Sequence, residues 1–330
     1  MATPPEGARP AVCTASAQLP VRPRDVNIYG SVFGGFVIEQ ADRLAALAAS
    51  RFAGRPVVTA SLDLITFVAG IRAYQQIALL ARATRVFRTS MEVLVAVEGV
   101  DPVSGTRWKT SDAALTLVCM GEDGRPAPFP ALKPGSPEEK LAWAAAAQRR
   151  ALRLAAPADE PAAFPPAAGA AADRLSLQTS TEICFPGSVN EMGAATAGWL
   201  MSLADRLAGV AASAHARLPS VTASVDSVQF RRPVYLGEVV ITHAYLTRAF
   251  RTSAEVRVDI WKRGPLAGPP EHVATAYFTY VALGADGRPT AVPTLVPRTA
   301  EERRRHEAAG ARRDLRQKAL GLTHSGPSSH

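Results

Sequence analysis

The chain has few cysteines and no long apolar run, and these absences exclude several classes of protein. Its 330 residues include three cysteines, Cys13, Cys119 and Cys184, which are too few and too scattered for a disulfide framework or a zinc site. No apolar run reaches the roughly 18 residues of a membrane helix, and the first twenty residues lack the apolar core of a signal peptide. We therefore expect a cytoplasmic protein without a structural metal ion and without a membrane partner.

The signature motifs of several enzyme classes are also absent. The chain has no G-x-S-x-G nucleophile elbow, no P-loop and no dinucleotide-binding glycine fingerprint. All six histidines lie in the second half, from His215 onward. A mechanism that depends on histidine is therefore not available to the first half.

The charge is unbalanced, with a formal net charge of +8 that comes mainly from arginine. This excess favours an anionic partner such as a phosphorylated cofactor, although a GC-rich genome that prefers arginine to lysine would produce the same excess. No basic run is interleaved with aromatic residues, so we expect no nucleic-acid partner.

The chain does contain a long internal repeat with a constant offset of 163 residues. Asn27 and Asn190 each precede a glycine-containing turn and then a segment that carries an aspartate, Asp42 in the first copy and Asp205 in the second. The sequences V-T-A-S, F-R-T-S and D-G-R-P also recur at this offset. A period this long indicates two copies of a domain rather than a solenoid, and the length suffices for two domains that each bury a core.

Each copy reads as a loop, one apolar helix and a run of strands. In the first helix, Val37, Ile38, Ala41 and Leu44 follow helical spacing, and Asp42 borders this apolar stripe. Strands are predicted at 57–68, 76–87, 91–97 and 106–119, and at 221–230, 239–250, 254–261 and 272–281. Consecutive strands without intervening helices favour an antiparallel sheet. We therefore predict an α+β fold of tandem hotdog domains, each an antiparallel sheet wrapped around a long central helix.

The predicted domain boundaries follow the repeat. We expect a disordered N-terminal tail over 1–17, a first hotdog domain over 18–135, a helix and an Ala/Pro-rich linker over 136–177, a second hotdog domain over 178–298, and a C-terminal helix with a disordered tail over 299–330. Ser136 with Glu139, and Thr299 with Glu302, have the spacing of capping boxes at the start of the two exit helices.

The repeated residues suit hydrolysis of an activated acyl group. A carboxylate takes a proton from water or attacks the carbonyl itself, and an amide side chain orients the water or the carbonyl. Backbone N–H groups at the helix starts, at Gly34, Gly35 and Gly198, suit a developing oxyanion. The alternative is structural, with Asn in a turn and Asp paired with the next arginine. Recurrence of the Asn and Asp at a fixed separation favours a functional role.

The pattern D-x-N-x-x-G-x-x-F-G-G with an aspartate seven residues later, from Asp25 to Asp42, resembles the hotdog-fold acyl-CoA thioesterases. The double copy is similar to the brain-type acyl-CoA hydrolase family, and the resemblance extends from about Gln18 to Ala319. It implies hydrolysis of acyl-CoA to a free acid and CoA, with no cofactor besides the CoA of the substrate. It also implies a homo-oligomer, a trimer of double hotdogs.

The resemblance further implies active sites shared between the two copies. Asn27 would face Asp205, and Asn190 would face Asp42. The first pair ranks higher, because the first copy has the family's Phe-Gly-Gly and the second lacks the middle glycine. One or both sites could be active.

The resemblance also places the turn between two strands near the CoA phosphates. Hydroxyl and guanidinium groups are suitable phosphate donors, although an ordinary polar hairpin turn is the alternative. The residues concerned are Arg88, Thr89 and Ser90 in the first copy and Arg251, Thr252 and Ser253 in the second.

Two other functions remain open. A hotdog hydratase or dehydratase would act on the same thioesters, but such enzymes generally use an Asp and His pair, and the first copy has no histidine. A non-catalytic acyl-CoA-binding module would bind CoA without releasing thiol.

Overall fold

The computed structural model describes residues 13–155, 164, 177–266 and 268–323. The elements of the first copy are β1 (Thr14–Pro20), α1 (Gly34–Ala53), β2 (Val57–Leu62), β3 (Ile65–Thr66), β4 (Gln76–Val86), β5 (Ser90–Val100), β6 (Arg107–Cys119) and α2 (Pro137–Ala155). Those of the second copy are β7 (Gln178–Ile183), α3 (Ala197–Ala216), β8 (Ser220–Val225), β9 (Val228–Gln229), β10 (Val239–Ala249), β11 (Ser253–Arg263), β12 (Glu271–Ala282) and α4 (Ala300–Thr323).

Two six-stranded antiparallel sheets each pack around one long helix, which confirms the predicted tandem hotdog fold. The strand orders are β1-β4-β5-β6-β2-β9 and β3-β8-β12-β11-β10-β7. The short strands β3 and β9 each pair with a strand of the other copy, β8 and β2 respectively. The single strands predicted over 57–68 and 221–230 are therefore wrong in detail, because the second half of each leaves its own sheet and joins the other.

The inner face of each sheet packs against the central helix. In β5, Met91, Val93, Val95 and Val97 are fully buried and alternate with residues on the outer face, as strand geometry requires. Most buried apolar residues of both copies form one continuous cluster, in which α1 and α3 contact each other. The length of the chain allows each copy to bury a core of its own. The structure has a shared core because each central helix packs against the other helix as well as against its own sheet.

The first strand corrects the predicted N-terminal boundary. The tail is predicted over 1–17, but β1 begins at Thr14 and pairs with β4, from Thr14 opposite Arg82 to Pro20 opposite Gln76. Alanine has low strand propensity, so the strand is specified by its pairing with β4 rather than by its composition. The rest of the predicted tail, most of the Ala/Pro-rich linker and the C-terminal tail lie outside the described residues.

Each exit helix begins with the predicted capping box. The Glu139 amide donates to the Ser136 hydroxyl at 3.2 Å, and the Ser136 amide donates to the Glu139 carboxylate at 3.1 Å. Thr299 and Glu302 make the same two bonds at 3.1 and 3.0 Å. These reciprocal bonds satisfy backbone donors that the first helical turn leaves free.

A buried ion-pair cluster fastens each exit helix to the outer face of its sheet. Glu255 on β11 is fully buried and binds Arg312 at 2.6 Å and Arg316 at 3.2 Å, both on α4. It also accepts a hydrogen bond from the Thr247 hydroxyl at 2.7 Å. The first copy repeats this arrangement around Glu92, so the fastening belongs to the duplicated unit.

Removal of the central carboxylate should therefore loosen the exit helix. We expect Glu255→Gln to lower the free energy of unfolding by about 3 kcal/mol, because it leaves two partly buried guanidinium groups short of a partner. Thermal or urea unfolding measures this loss. The matched control is Glu301→Gln on the same helix. The Glu301 side chain is 46% exposed in its pairs with Arg304 and Arg305, so this variant should change stability by less than about 1 kcal/mol. Equal stability of the two variants would contradict the assignment.

Candidate active site between the two central helices

Asp42 lies in the third turn of α1, and its carboxylate reaches the start of the other copy's helix. It is 2% exposed. One carboxylate oxygen accepts the backbone N–H of Gly198 on α3 at 2.8 Å, and the other accepts the hydroxyl of Thr59 on β2 at 2.6 Å. The helix that carries the apolar stripe thus places the Asp42 carboxylate at the contact between the two copies.

Asp205 occupies the equivalent position on α3 and is fully buried. It accepts the backbone N–H of Gly35 on α1 at 2.7 Å and the Thr222 hydroxyl at 2.9 Å. A third donor is present in this copy, since the Tyr280 hydroxyl lies 2.7 Å from the same carboxylate. Each carboxylate therefore has a donor from the other copy and a threonine from its own.

These contacts stabilise the N-termini of the two central helices electrostatically. The first backbone N–H groups of a helix have no partner within the helix, and the helix dipole favours negative charge there. Phe33, which precedes α1, provides no side-chain cap, and Asp205 accepts the amide of Gly35 instead. The carboxylates of the two copies thus cap each other's helices.

Glycine is required at both contacts because the helix backbones nearly touch. A Cβ atom on Gly35 would lie 2.8 Å from the Cα of Ser202, and one on Gly198 would lie 2.6 Å from the Cα of Glu39. Real Cβ atoms essentially never lie so close to another atom. The neighbouring atom is a backbone Cα, which cannot move away as a flexible side chain can. The repeated glycine therefore permits the close approach of each carboxylate to the opposite helix.

The two asparagines each close a turn before the central helix. The side-chain oxygen of Asn27 accepts the amides of Tyr29 and Ser31 at 3.0 and 3.2 Å. Asn190 accepts the amides of Met192 and Ala194 in the same way. Within the described part of the chain, neither asparagine's NH₂ group makes a hydrogen bond. Each is half-buried and is free to donate to a ligand.

The predicted oxyanion donors fall into two groups. Gly35 and Gly198 donate their N–H groups to the carboxylates of the opposite copy. Gly34 makes no backbone hydrogen bond through its own N–H among the described residues, and neither does Ala197, its counterpart in the second copy. The amide available to a ligand at the start of α1 is therefore that of Gly34.

Burial dominates the electrostatics of both carboxylates. Loss of solvent raises the pKa of Asp42 and of Asp205 above the usual aspartate value, and the hydrogen bonds from the threonines and from the glycine amides act in the opposite direction. No histidine among the described residues bonds to either carboxylate. A buried carboxylate with a raised pKa beside free amide donors is typical of a group that accepts a proton during a reaction.

The first copy's loop is also attached to the second copy by a tyrosine. The Tyr29 hydroxyl donates to the backbone carbonyls of Pro219 at 3.1 Å and of Leu283 at 3.3 Å. Met192 occupies the equivalent position in the second copy and has no hydroxyl. The turn that holds Asn27 is therefore fixed to the opposite domain by a contact that the Asn190 turn cannot make.

The two predicted CoA-binding turns lie at the hairpins between β4 and β5 and between β10 and β11. Arg88 and Arg251 are exposed, whereas the neighbouring threonines and serines are half-buried. In the part of the chain that the structure describes, neither guanidinium group forms an ion pair. The turns thus present unpaired positive charge.

Three groups that contact the carboxylates are not among the residues predicted from the sequence. Thr59 and Thr222 lie in the repeated V-T-A-S segment, each seventeen residues after its aspartate, so their recurrence was the available signal. Tyr280 does not recur, because the first copy has Leu117 at the equivalent position. Such a difference between the copies does not show what Tyr280 contacts unless the register of β12 in its sheet is known.

Comparisons with known proteins show which family each copy resembles. The thioesterase superfamily model matches twice, at residues 29–105 and 192–268. Mouse acyl-coenzyme A thioesterase 11 is 29% identical over 323 residues, which cover 94% of this chain and 54% of that protein. The uncharacterized acyl-CoA thioester hydrolase YkhA of Bacillus subtilis is 38% identical over 136 residues, 41% of this chain and 79% of that protein.

A third relative extends along almost the whole chain. The rat cytosolic acyl coenzyme A thioester hydrolase is 26% identical over 335 residues, which cover 97% of this chain and 87% of that protein. The chain nevertheless spans only about half the length of the mouse thioesterase. None of the described helices combines the length and the apolar character that crossing a bilayer requires.

The close approach of the helices can be tested directly. We expect Gly198→Ala to lower the free energy of unfolding by about 2 kcal/mol or more, because the new methyl group meets the backbone at Glu39. The control is Gly310→Ala on α4, where the nearest atom is the flexible end of Arg248. Thermal unfolding compares the two. A Gly198→Ala variant as stable as Gly310→Ala would show that the helices are further apart.

Proposed function

The chain belongs to the thioesterase superfamily, and from that premise we propose that it hydrolyses acyl-CoA thioesters to a free acid and CoA. The observation that carries the proposal is the contact of Asp205 with the start of α1, through the Gly35 amide at 2.7 Å. This contact brings a buried carboxylate of one copy to the helix that follows the asparagine turn of the other. The relatives named as acyl-CoA thioester hydrolases support the thioester as the substrate.

The proposed reaction uses the groups in complementary roles. Asp205 accepts a proton from water while the water oxygen attacks the thioester carbonyl. The Asn27 NH₂ group orients the water or the carbonyl, and the Gly34 amide stabilises the oxyanion that develops. The intermediate then breaks its carbon–sulfur bond, and the proton on Asp205 passes to the departing sulfur. The second site, with Asn190 and Asp42, has the same parts except that Ala197 replaces Gly34.

The CoA moiety is proposed to contact the two hairpin turns. Arg88 and Arg251 offer guanidinium groups to phosphate oxygens, and the hydroxyls of Thr89, Ser90, Thr252 and Ser253 offer further donors. The support is the exposure of the two arginines and the absence of an ion pair at either one within the described residues. An exposed cation of this kind is available to a phosphate without breaking a contact.

We further propose a cytoplasmic compartment and association into a trimer. The name of the rat relative supports the compartment. Light scattering tests the trimer, which should have a mass near three times the 34.8 kDa of one chain. A mass of one or two chains would contradict it.

Thiol release across a series from acetyl-CoA to palmitoyl-CoA tests the hydrolysis. We expect the double variant Asp42→Asn, Asp205→Asn to lose at least about 100-fold in kcat, because the proton acceptor is gone from both sites. Asp314→Asn, an exposed aspartate on α4, is the control. No thiol release by the wild type, together with saturable CoA binding, would favour a non-catalytic binding module.

The dependence of activity on pH should reflect the burial of the two carboxylates. The ionised form accepts the proton, so activity is present above the aspartate pKa and is lost as the pH falls through it. Burial raises that pKa, so the acid limb of kcat/KM should lie above the ordinary value of about 4. A limb at or below that value would contradict the assignment of a buried aspartate.

The phosphate contacts are tested by substrates with and without phosphate. We expect the double variant Arg88→Gln, Arg251→Gln to raise KM for acyl-CoA and to leave KM for the matching acyl-N-acetylcysteamine thioester unchanged, because that thioester has no phosphate. Arg51→Gln, an exposed arginine on α1, is the control. An equal change in KM for both substrates would contradict a phosphate contact.

A further inference from the structure

The two carboxylates differ in one strong contact. The Tyr280 hydroxyl on β12 donates to the Asp205 carboxylate at 2.7 Å and also contacts the backbone carbonyl of Asp205 at 2.5 Å. The repeat places Leu117 at this position in the first copy, and leucine has no hydrogen to donate. Asp205 therefore has three donors and Asp42 has two.

The second copy also makes room for this tyrosine. Gly209 lies on α3 one turn after Asp205, and a Cβ atom there would lie 3.3 Å from the Tyr280 hydroxyl oxygen and 3.4 Å from its ring. Ala46 occupies the equivalent position in the first copy. The tyrosine and the glycine thus occur together in one copy, and the leucine and the alanine occur together in the other.

Tyr280 can only act as a donor towards Asp205. Burial and the neighbouring carboxylate raise the pKa of Tyr280 well above the usual tyrosine value, so the hydroxyl keeps its proton. Because the hydroxyl contacts both the side chain and the main chain of Asp205, it limits rotation of the carboxylate about the bonds that connect the two.

We propose that Tyr280 is a positioning residue that holds the Asp205 carboxylate in its reactive orientation and makes the two sites of the chain chemically unequal. The inference rests on the proposed function, in which Asp205 accepts the proton. Tyr280 acts through Asp205 and does not itself contact the thioester. The site formed by Asn27 and Asp205 is then the one that stays active at lower pH.

The charges around the two carboxylates also favour the ionised form of Asp205 over that of Asp42. Asp205 has Arg206 on its own helix, the neutral Tyr280 on β12, the Thr222 hydroxyl on β8 and the Gly35 amide on α1. Asp42 has Glu39 and Arg43 on its own helix, with the Thr59 hydroxyl on β2 and the Gly198 amide on α3. The second carboxylate near Asp42 disfavours its charged form, and Ser202 replaces Glu39 in the second copy.

Variants that keep only one of the two sites test this inference. In the Asp42→Asn background, which leaves only the Asp205 site, we expect Tyr280→Phe to shift the acid limb of kcat/KM to higher pH. A hydrogen bond to a charged group corresponds to a loss of about tenfold in kcat/KM on that limb, with a smaller change on the plateau. In the Asp205→Asn background, Tyr280→Phe should leave the profile of the Asp42 site unchanged.

The matched control is Tyr245→Phe in the Asp42→Asn background. Tyr245 is also buried, and its hydroxyl bonds to Asp259 on the outer face of the sheet rather than to Asp205. Its loss should not move the acid limb. An unshifted limb in Tyr280→Phe, or the same shift in both tyrosine variants, would overturn the inference while leaving the proposed hydrolysis intact. Activity that survives only at the Asp42 site would also overturn it.

The reverse exchange gives a second test in the first copy. In the Asp205→Asn background, Leu117→Tyr combined with Ala46→Gly should supply the missing donor and move the acid limb of the Asp42 site to lower pH. The same pair of changes with Phe in place of Tyr at position 117 controls for the larger ring. An equal shift with either ring would show that the hydroxyl is not responsible.

A direct titration separates this inference from the proposed activity. With ¹³C-labelled aspartate carboxyl groups, the Asp205 signal is the one that disappears in Asp205→Asn, and its midpoint should move to higher pH in Tyr280→Phe. This result is expected even if the wild type releases no thiol from any substrate, in which case the proposed function fails alone. An unmoved midpoint would overturn the role of Tyr280.

Discussion

The structure depends on two carboxylates that each cap the helix of the other copy. Asp205 accepts the Gly35 amide and Asp42 accepts the Gly198 amide. A buried charge is costly unless donors surround it, and each aspartate finds one of its donors on the helix of the other copy. The contact that stabilises the pairing of the copies is therefore also the contact that assembles the proposed active site. The shared core lies around the same contact, because α1 packs against α3 there.

Duplication within one chain allows the two sites to differ. In a symmetric dimer of single hotdogs both sites would carry the same side chains, whereas here Tyr29 and Tyr280 support only the site formed by Asn27 and Asp205. The outer faces of the sheets retain the same fastening in both copies, with Glu92 and Glu255 at the centre. Divergence is thus found at the carboxylates, while the clusters that hold the exit helices are duplicated.

The repeat made the central part of this account predictable from sequence. The asparagines, the aspartates, the central helices and the capping boxes depend on local spacing, which recurs at one offset. The crossing of β3 and β9 between sheets was not predictable, because it depends on pairing between residues more than 150 positions apart. Tyr280 was missed for the same reason, since only the register of β12 brings its hydroxyl to Asp205.

The most direct measurement compares two double variants that each remove one asparagine and one aspartate. If the sites are shared between the copies, Asn27→Ala with Asp205→Ala damages one site twice and leaves the Asn190 and Asp42 site working. Asn27→Ala with Asp42→Ala then damages both sites, and thiol release falls to background. The opposite ranking, with activity surviving only in Asn27→Ala with Asp42→Ala, would mean that each site lies within one copy and would contradict the account.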